Sequence, residues 1–592
     1  MAEGIAKVGV VGCGTMGSGI SELVARHGID VTFVEVDDDA VEVGRQRIAY
    51  SLQRLVDHGK LDPSERDGVL SRIAGTTKYA ALSDADLVVE AVPEDLDLKQ
   101  DVMAKVDDNV AEGTILATNT SSLPVLDIAV HTRHPNHVLG FHFFNPAPVM
   151  QLIELVRTPV TDEAVVTRAE RFAVRIGKTP VVVGDRPGFI ANQLLFPYLN
   201  QAIGMVASGY ATKDDVDAAM RLGAGHPMGP IALADLVGLD TMLGITETIW
   251  RHFNQTRFAP QPILRHLTIA GYHGRKTGRG FYRYAEPGSS QVLDADEAAR
   301  DAADPSVIAG WSRVGVVGTG TMATGVAQVV AQAGYQVVVR GRALHKAEGV
   351  IDGISKGLQR LVDKDRLSEG DRVEILGRLQ PTADFDHLRP CDVVIEAVAE
   401  DPTVKRTVFA AIDRAVDEDA VVATTTSSLP VIECAMATTR PDRVVGLHFF
   451  NPAPVMKLVE IVPTVRSDLD VIEQCRAFVE GCGKVGVLCS DRAGFIVNAL
   501  LFPYLNDAIR MIESHYATAE QIDTAMKLGT AHPMGPFELM DIVGLDVTLA
   551  IIQRLHAEHR EPSFAPAPLL SRMVEAGYLG KKAGRGFYVY RR

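Results

Sequence analysis

The sequence predicts a doubly wound α/β domain followed by an all-helical domain, with this pair repeated twice. Residues 1 to about 286 recur at a fixed offset of 306, so that Gly12 corresponds to Gly318. The first part of each repeat alternates short apolar runs with helical spacing, whereas the last part shows helical spacing only. The repeat is far longer than the roughly 20 to 50 residues of solenoid units, so each half must carry its own core.

The composition describes an acidic chain with material for several cores. It has 592 residues, 46% of them hydrophobic, and a formal net charge of −16. At roughly 100 to 200 residues per domain, the length suits about four domains. The acidic balance argues against nucleic-acid binding, which needs a basic surface. No apolar run is long enough to span a membrane, and MAEG leads directly into an apolar strand, so we expect no membrane partner, no export and a cytoplasmic location.

Buried strands predict the first domain of each half. In the first half they are VGVV at Val8–Val11, VTFV at Val31–Val34 and DLVVEAV at Asp86–Val92. Continuous apolar runs are typical of parallel strands that are covered on both faces, and the segments between them have helical spacing. We therefore predict α/β domains over 1–186 and 311–492.

The pattern changes near the sequence DRPG at 185–188. PGFIANQLLFPYLNQAI is predicted to begin a long apolar helix with proline in its first turn, and no strand-like run follows for about eighty residues. The helical domains are therefore predicted over 187–285 and 493–592. Residues 286–310 are polar, acidic and rich in alanine, which predicts a linker with some helical character.

The cysteines predict no metal site. Three of them are spaced by seven residues, but no histidine stands beside them at the spacing of a zinc site. We expect buried, reduced thiols at all six positions, which are Cys13, Cys391, Cys434, Cys475, Cys482 and Cys489.

A glycine-rich turn follows the first strand of each half. In the first half Gly12-Cys13-Gly14-Thr15-Met16-Gly17 opens a helix, and Glu35 ends the second strand at about the expected distance. The glycines let backbone N–H groups approach a pyrophosphate, and Glu35 can accept both ribose hydroxyls. A turn without ligand is the alternative, but this context favours an NAD-binding, Rossmann-type domain. The second half has Gly318, Gly320, Met322 and Ala323, and alanine is tolerated at the third glycine position.

Four polar side chains form a second constellation. Ser121, His142 within HFFNP, and Glu154 lie in the α/β domain, and Asn192 lies in the helical one. A histidine can exchange the proton of a hydroxyl group, and a carboxylate can fix its tautomer. A lone histidine is more often a core residue with a satisfied hydrogen bond, but beside a dinucleotide motif it indicates hydride transfer. The second half repeats the set as Ser427, His448, Glu460 and Asn498.

Longer strings resemble the L-3-hydroxyacyl-CoA dehydrogenase family, which includes 3-hydroxybutyryl-CoA dehydrogenases. The first half has NTSSL, GFHFFNPAPVMQLIE, GDRPGFIANQLLFPYLNQA, GHPMGPIALADLVGLD and GRKTGRGFYRY. The second has TTSSL, GLHFFNPAPVMKLVE, SDRAGFIVNALLFPYLNDA, AHPMGPFELMDIVGLD and GKKAGRGFYVY. The resemblance covers nearly the whole chain except the linker. It implies reversible, NAD-dependent oxidation of (3S)-3-hydroxyacyl-CoA to 3-oxoacyl-CoA, with acetoacetyl-CoA as a usable reductive substrate.

The resemblance also implies a role for each matching position. The histidines and their glutamates form acid/base pairs, and the serines and asparagines hydrogen-bond the substrate near its reacting oxygens. Positions beside the nicotinamide ribose are Glu94 and Lys99, with Glu400 and Lys405 in the second half. The family's pairing through helical domains implies an intramolecular pseudo-dimer, and further association through other faces stays open.

The two halves differ at positions that matter for binding. Glu35 corresponds to Gly341, which stands between Arg340 and Arg342. The cofactor position Asn119 corresponds to Thr425, and on the helical arm that resembles the family's CoA contact Ser51 and His58 correspond to Gly357 and Lys364.

Alternatives stay open at this point. We expect NAD in the first half. In the second half the arginines either accept the 2′-phosphate of NADP, or merely solvate the strand end, or mark a site that has lost its affinity. Either both halves are active, or only the first is active and the second serves CoA binding, folding or assembly. A hydroxyisobutyrate-type dehydrogenase would need a catalytic lysine in place of the histidine and glutamate, and is disfavoured.

Overall fold

Two eight-stranded sheets form the core of the α/β domains. The computed structural model describes residues 4–293 and 310–590, so residues 294–309 of the predicted linker lie outside the described residues. The first sheet contains β1 (Lys7–Val11), β2 (Asp30–Val34), β3 (Ile73–Thr76), β4 (Leu87–Glu90), β5 (Ile115–Thr118), β6 (Val138–Phe143), β7 (Leu152–Arg157) and β8 (Thr179–Gly184). The second contains β9 (Arg313–Val317), β10 (Gln336–Arg340), β11 (Leu379–Thr382), β12 (Val393–Glu396), β13 (Val421–Thr424), β14 (Val444–Phe449), β15 (Leu458–Pro463) and β16 (Val485–Leu488).

Both sheets have the same doubly wound order. The first runs β3-β2-β1-β4-β5-β6-β7-β8, and the second repeats this order from β11 to β16. Neighbouring strands are parallel except β6 with β7 and β14 with β15, which are antiparallel. The direction of winding reverses between β1 and β4, and the glycine-rich turn after β1 lies at this switch point, where such sheets bind their ligands. The predicted fold class is thus observed in both halves.

Helices cover both faces of each sheet. In the first half they are α1 (Thr15–Arg26), α2 (Asp38–Asp57), α3 (Pro63–Leu70), α4 (Leu96–Asn109), α5 (Val125–Ala129) and α6 (Glu163–Arg175). The helical domain adds α7 (Ala191–Ala207), α8 (Lys213–Gly223), α9 (Pro230–Val237), α10 (Leu239–Phe253) and α11 (Pro262–Ile269).

The second half repeats this arrangement. Its α/β domain has α12 (Thr321–Gln332), α13 (Leu344–Val362), α14 (Glu369–Gly377), α15 (Pro402–Ala415), α16 (Val431–Ala435) and α17 (Leu469–Gly481). Its helical domain has α18 (Val497–Glu513), α19 (Ala519–Thr530), α20 (Pro536–Val543), α21 (Leu545–His559) and α22 (Pro568–Glu575). Among the described residues, five α-helices thus follow the last strand of the sheet in each half.

The long apolar helix begins later than its sequence suggests. We predicted that it starts at Pro187, but α7 starts at Ala191. Gly188 and Phe189 have φ values of +79° and +48°, a left-handed conformation that cannot continue a right-handed helix. The residues before Ala191 therefore form a turn between the domains, and the correction places the N-terminus of α7 beside the sheet edge.

The two helical domains pack against each other. Helix α7 lies along α18, and Gln201 Nε2 donates to the carbonyl oxygen of Ala499 at 2.8 Å. The rings of His226 and His532 stack with their centroids 3.9 Å apart. One continuous cluster of buried apolar side chains includes both helical domains and one face of each sheet, so the two halves share a core.

Each helical domain also touches the sheet of the other half. A Cβ atom placed on Gly529 of α19 would lie 2.8 Å from Leu152 Cδ2 and 3.2 Å from the ring of Phe144. Conversely, a Cβ atom on Gly223 of α8 would lie 2.8 Å from Leu458 Cδ2. At 2.8 Å from a leucine methyl group a Cβ atom would force its neighbours to shift, so glycine lets each helix approach the opposite sheet without displacement.

Two further expectations concern the cysteines and membrane-spanning helices. All six cysteines are buried and unpaired, and burial raises the pKa of the Cys13 thiol to about 12. Within residues 4–293 and 310–590, no helix combines the length and apolar character needed to cross a bilayer.

Candidate active sites

The glycine-rich turn of the first half leaves open space for a ligand. Gly12 has a φ of +87°, and a Cβ atom on it would lie 2.9 Å from the carbonyl oxygen of Ala91. A Cβ atom on Gly17 would collide with the carbonyl oxygen of Gly12. No atom lies within 4 Å of the position of a Cβ on Gly14, which faces open space. The turn is tight on its inner side and free on its outer side, as the pyrophosphate of a dinucleotide requires.

The turn of the second half keeps this open side although alanine replaces the last glycine. Ala323 is buried, and Gly318 adopts a φ of +144° instead of the +87° of Gly12. The changed backbone makes room for the methyl group, which lies 3.3 Å from the position of a Cβ on Gly318. Gly320 has no atom near the position of a Cβ, like Gly14. Met16 and Met322 sit half-buried in the first turns of α1 and α12.

Glu35 reaches back to the glycine-rich turn. Its Oε1 accepts the N–H of Cys13 at 2.5 Å, and its Oε2 accepts that of Val36 at 3.2 Å. The carboxylate thus lies at the end of β2, where an adenosine ribose would bind. In the second half Gly341 takes this position, with Arg340 half-buried and Arg342 exposed on either side.

Strand register brings the first histidine and glutamate together. In the antiparallel pair β6–β7, His142 lies directly opposite Glu154, so both side chains emerge on the same face. The Nδ1 atom of His142 lies 2.7 Å from Glu154 Oε2, and both side chains are buried. An ionised carboxylate only accepts hydrogen bonds, so Nδ1 carries the proton and Nε2 is left free to take one.

The glutamate is also bound to the helical domain. Glu154 Oε1 accepts the N–H groups of Ile190 and Ala191, each at 3.0 Å. These N–H groups open α7 and have no partner within the helix. A carboxylate is favoured at a helix N-terminus, so α7 helps to hold the buried charge that orients His142.

The second half reproduces this geometry. His448 lies opposite Glu460 in β14–β15, with Nδ1 at 2.6 Å from Glu460 Oε2. Glu460 Oε1 accepts the N–H groups of Ile496 and Val497 at 3.0 and 2.9 Å. Every hydrogen bond of the first histidine–glutamate pair therefore has a counterpart in the second half.

The serine loop is held by a glutamate and a buried lysine. Glu94 Oε1 accepts the N–H of Ser121 at 2.9 Å, and Asn192 Nδ2 donates to the Ser121 carbonyl oxygen at 3.2 Å. Lys99 is almost fully buried, with Nζ 3.4 Å from Glu94 and 2.9 Å from Glu90. Burial acts to raise the pKa of Glu94, but Lys99 and the hydrogen bonds of the loop outweigh it and hold the pKa below its usual range.

The corresponding glutamate, asparagine and lysine hold the serine loop of the second half. Glu400 accepts the N–H of Ser427 at 3.0 Å, Asn498 Nδ2 donates to the Ser427 carbonyl oxygen at 3.3 Å, and Lys405 lies 3.3 Å from Glu400. Burial acts to raise the pKa of Glu400, and Lys405 with the loop hydrogen bonds lowers it below the usual range. Both sites therefore present an ionised glutamate behind the serine.

One predicted cofactor position differs between the halves. Asn119 is buried, and its Oδ1 accepts the N–H of Phe143 at 2.9 Å, beside the histidine. Thr425 stands at the corresponding position and is half-buried. The shorter side chain loses the amide group that anchors the strand end in the first half.

The predicted CoA contacts of the first half line a groove. It has a volume of about 420 Å³ and lies between α1, α2 and the loop at Asn145–Val149. Ser51 and His58 both border it, and basic side chains surround them, namely Arg26, Arg47, Arg54 and Lys60. Lys364, which replaces His58 in the second half, is exposed just beyond α13.

Some residues of these sites were not predicted. Glu90 is fully buried and accepts from Lys99 and from Thr118 at 2.9 and 2.6 Å, so it fixes the lysine behind Glu94. Asp185 accepts the N–H groups of Val125 and Leu126 at 2.9 and 2.7 Å and ties the interdomain turn to α5. A signal was available, because both acidic residues recur 306 residues later as Glu396 and Asp491.

A dinucleotide-binding sheet with a buried histidine–glutamate pair at its edge defines a nicotinamide-dependent dehydrogenase of hydroxyl compounds. Family comparison agrees in both halves. The model described as 3-hydroxyacyl-CoA dehydrogenase, NAD binding domain, matches residues 7–186 and 313–492. That of the family's C-terminal domain matches residues 188–284 and 494–590. The chain belongs to the 3-hydroxyacyl-CoA dehydrogenase family, as a tandem duplication, and it is an NAD-dependent oxidoreductase.

Individual relatives correspond to half of the chain or to all of it. A 3-hydroxybutyryl-CoA dehydrogenase of Mycobacterium tuberculosis is 48% identical over 286 residues, which are 48% of this chain and 100% of the relative. One from Clostridioides difficile is 41% identical over 278 residues, 47% of this chain and 99% of the relative. The crystal structure of 3-hydroxybutyryl-CoA dehydrogenase from Escherichia coli K12 is 26% identical with a TM-score of 0.69 and covers 97% of this chain and 99% of its own.

Proposed function

We propose that the chain catalyses the reversible oxidation of (3S)-3-hydroxyacyl-CoA to 3-oxoacyl-CoA, and that acetoacetyl-CoA is a usable substrate in the reductive direction. NAD supplies the hydride acceptor when it is bound at the glycine-rich turn. The observation that carries the proposal is the buried contact of 2.7 Å between His142 and Glu154. It leaves one ring nitrogen free to take a hydroxyl proton, as oxidation of an alcohol requires.

The proposed roles follow from the hydrogen bonds around this pair. His142 takes the proton of the substrate hydroxyl group, and Glu154 holds its tautomer and stabilises the imidazolium. Ser121 and Asn192, which meet at 3.2 Å, hydrogen-bond the substrate oxygens. Glu94, held ionised behind the serine, faces the ribose of the nicotinamide, and Lys99 positions it.

We propose that both halves are catalytic. The alternative, a first half that works and a second half kept as a scaffold, is not favoured. A scaffold has no need of a histidine–glutamate pair, yet His448 and Glu460 keep their contact at 2.6 Å and the helix N-terminus behind it. The relatives that correspond to half of this chain are themselves named 3-hydroxybutyryl-CoA dehydrogenases, which supports one activity per half.

Two single variants and their combination test the reaction and the number of sites. His142→Gln and His448→Gln each preserve size and a hydrogen-bonding group while removing the titrating ring. We expect each to lower turnover of acetoacetyl-CoA at its own half on the order of 100 to 10,000-fold, the usual range for lost acid/base catalysis. The double variant loses turnover at both halves. Unchanged turnover in the double variant would contradict the proposal, and full loss in His142→Gln alone would restore the scaffold alternative.

We propose that the CoA phosphates bind along the groove of α1 and α2. Ser51 and His58 line it in the first half, and its basic side chains suit phosphate groups. In the second half Lys364 replaces His58 as the cationic contact. In the His448→Gln background, where only the first half works, His58→Ala should raise KM for acetoacetyl-CoA and leave KM for its small N-acetylcysteamine thioester analogue unaffected, because that analogue lacks the nucleotide. An equal rise in KM for both substrates would argue against this assignment.

We propose that the two halves, each with the two domains predicted from the sequence, pair within one chain as a pseudo-dimer. Association of whole chains through other faces is compatible with this pairing. The shared apolar core and the stacking of His226 on His532 support it. A protease site inserted in the predicted linker at 286–310 tests the pairing by sedimentation. The cut chain should sediment like the uncut chain, and separation into two halves would refute the pairing.

We also propose a cytoplasmic location. Six unpaired, buried cysteines support a reducing compartment, because disulfides are frequent in oxidising ones. Fractionation of the native cell, with activity assayed in each fraction, checks this.

A further inference from the structure

The second half lacks the carboxylate that follows strand β2 in the first. Glu35 lies across the tip of the glycine-rich turn through its hydrogen bond of 2.5 Å from the N–H of Cys13. A carboxylate at this place accepts the ribose hydroxyls of NAD and repels the 2′-phosphate that distinguishes NADP. The corresponding residue of the second half is Gly341.

The backbone around Gly341 excludes any side chain. A Cβ atom on Gly341 would lie 2.9 Å from the nitrogen of Ala347, 3.0 Å from Thr319 Cγ2 and 3.1 Å from the carbonyl oxygen of Ala343. Two of these atoms belong to the main chain, which cannot swing away like the end of a flexible side chain. The loss of the carboxylate is therefore built into the loop, and the position of Glu35 carries no charge in the second half.

The following segment reverses its charge between the halves. Residues 35–40 read EVDDDA and carry four carboxylates, whereas residues 341–346 read GRALHK and carry none, with basic side chains at Arg342 and Lys346. Asp37 caps α2 by accepting the N–H of Ala40 at 2.8 Å. Ala343, at the corresponding position before α13, has no side-chain oxygen, and its carbonyl oxygen accepts the N–H of Lys346 at 3.0 Å instead. A doubly negative group is disfavoured in the first half and favoured in the second.

Arg340 adds a third cation at the strand end. It replaces the buried Val34, and its guanidinium carbon lies 3.8 Å from the centroid of the Phe385 ring. Its Nε is buried and has no hydrogen-bond partner among the described residues. Burial lowers the pKa of Arg340 and nearby Asp384 counteracts this, so the guanidinium stays charged near neutral pH. A guanidinium stacked on an aromatic ring keeps its N–H edge available for a phosphate.

We infer that the two halves use different dinucleotides: the first binds NAD(H), and the second binds NADP(H) with its 2′-phosphate between Arg340 and Arg342, an inference that rests on the proposed function of both halves. Lys346 lies one turn away on α13 and adds to the positive charge. The chemistry recognised is a phosphomonoester on the adenosine ribose, and the family's description of an NAD-binding domain does not assign it.

A second activity follows for the whole chain. With NADPH bound, the second half would reduce 3-oxoacyl-CoA, and His448 would supply the proton of the new hydroxyl group. With NAD⁺ bound, the first half would oxidise this 3-hydroxyacyl-CoA, and His142 would take the proton back. The acyl-CoA would be regenerated, and the net conversion would be NADPH plus NAD⁺ to NADP⁺ plus NADH. The chain would thus act as a transhydrogenase whenever a catalytic amount of acyl-CoA is present.

Calorimetry on the full chain tests the binding site without catalysis. Adenosine 2′,5′-bisphosphate should bind at one site per chain, at least tenfold more tightly than AMP binds there. Arg340→Val/Arg342→Val gives the second half the residues of the first, Val34 and Val36, and should weaken the bisphosphate roughly 10 to 100-fold, as expected for lost charge-assisted hydrogen bonds. The matched control Val36→Ala should change nothing. Equal affinity for adenosine 2′,5′-bisphosphate and AMP, or an affinity for the bisphosphate that the double variant does not change, would overturn the inference.

Kinetics separate failure of this inference from failure of the proposed function. On acetoacetyl-CoA, the His142→Gln variant should prefer NADPH and the His448→Gln variant NADH, each at least tenfold in kcat/KM. NADH preference at both halves overturns the cofactor difference but leaves the dehydrogenase intact, whereas no reduction with either cofactor at either half refutes the dehydrogenase. If Arg340→Val/Arg342→Val does not fold, the same binding and kinetic measurements are made on Arg342→Val alone, which changes an exposed side chain.

Isotope transfer tests the second activity. With NADPH deuterated on the transferred position of its nicotinamide ring, excess NAD⁺ and a trace of acetoacetyl-CoA, deuterium should appear in NADH. Either single histidine variant should slow the transfer on the order of 100-fold or more, because each impairs one of the two steps. Transfer at an undiminished rate in a single variant would show that one half uses both dinucleotides and would overturn the inference.

Discussion

The two halves agree at the histidine–glutamate pair, where we propose that a proton moves, and disagree at the end of the second strand, where we propose that the adenosine end of the cofactor binds. The histidine–glutamate contacts are 2.7 and 2.6 Å, and the amide hydrogen bonds behind them match as closely. At the end of the second strand, in contrast, a carboxylate in one half faces a glycine and two arginines in the other. This combination supports our proposal of two working sites that differ in the cofactor they bind.

The largest effect should come from the glutamates. Glu154→Gln keeps the size of the side chain but presents an amide to His142 and to the N-terminus of α7. We expect turnover at the first half to fall on the order of 100 to 10,000-fold, because the histidine loses its tautomer and its countercharge. The assay is made in the His448→Gln background, where only the first half works. Glu460→Gln in that background is the control, and an equal loss there would mean that the halves are not separate sites.

Acid should destabilise the contact between the halves. Burial lowers the pKa of His226 to about 4, and burial together with His226 lowers that of His532 well below its ordinary value. Because the folded pKa of each histidine lies below its unfolded value of about 6.5, the full contribution of both rings to the free energy of unfolding is present above that pH. As the pH drops from there towards 4, the free energy of unfolding falls by about 1.4 kcal/mol per pH unit for each histidine.

Urea unfolding of the chain between pH 7 and 5 measures this slope. His226→Gln removes one of the two titrating rings and should flatten the slope, while Tyr198 beside it can still donate to the amide. His58→Gln, at an exposed position outside the interface, should leave it unchanged. An unchanged slope in His226→Gln would show that the stacked pair does not govern acid stability.

A substitution in one half should impair the site of the other. Gly529→Val pushes on Leu152 and Phe144, and the ring of Phe144 lies 4.5 Å from that of His142, centroid to centroid. Overpacking of a core costs roughly 1 to 3 kcal/mol, so we expect a loss of about tenfold at the first half. Gly223→Val should act in the same way on the second half. Activity is measured in the His142→Gln and His448→Gln backgrounds, in each of which only one half works. A general loss of stability would lower the activity of both halves equally, whereas the predicted effect lowers only that of the opposite half.

The smallest effect concerns a charge pair without a counterpart. Arg257 pairs with Asp507 across the contact between the halves, while the corresponding residues are Ser563 and Gln201. Arg257→Ser gives the first half the residue of the second. Asp507 keeps Arg510 at 3.0 Å, so we expect the free energy of unfolding, measured by urea at pH 7, to fall by only about 1 kcal/mol. A loss several times larger would mean that this pair dominates the contact.

Much of the fold was predictable because its signals are local. The buried strands around Val8 and Val31 are continuous apolar runs, and the glycine-rich turn needs its glycines for steric reasons that the sequence shows directly. His142 and Glu154 could be paired by chemistry and resemblance, whereas their exact opposition arises from an antiparallel strand pair that the sequence analysis did not identify.

What could not be predicted depends on distant contacts. Helix α7 starts at Ala191 and not at the predicted Pro187, because Phe189 adopts a left-handed conformation that residue preferences do not favour. The burial of Lys99 between Glu90 and Glu94 depends on residues from two elements. The closeness of Gly529 to Leu152 depends on how the two halves pack, which no local pattern describes.

The unmatched pair of Arg257 and Asp507 shows what covalent fusion makes available to evolution. In a homodimer encoded by one gene, a residue pair away from the twofold axis forms twice, and every mutation appears on both sides. In this chain the two sides are separate codons, so Arg257 and Asp507 form an ion pair that Ser563 and Gln201 do not repeat. Covalent fusion therefore lets each side of the contact specialise independently of the other.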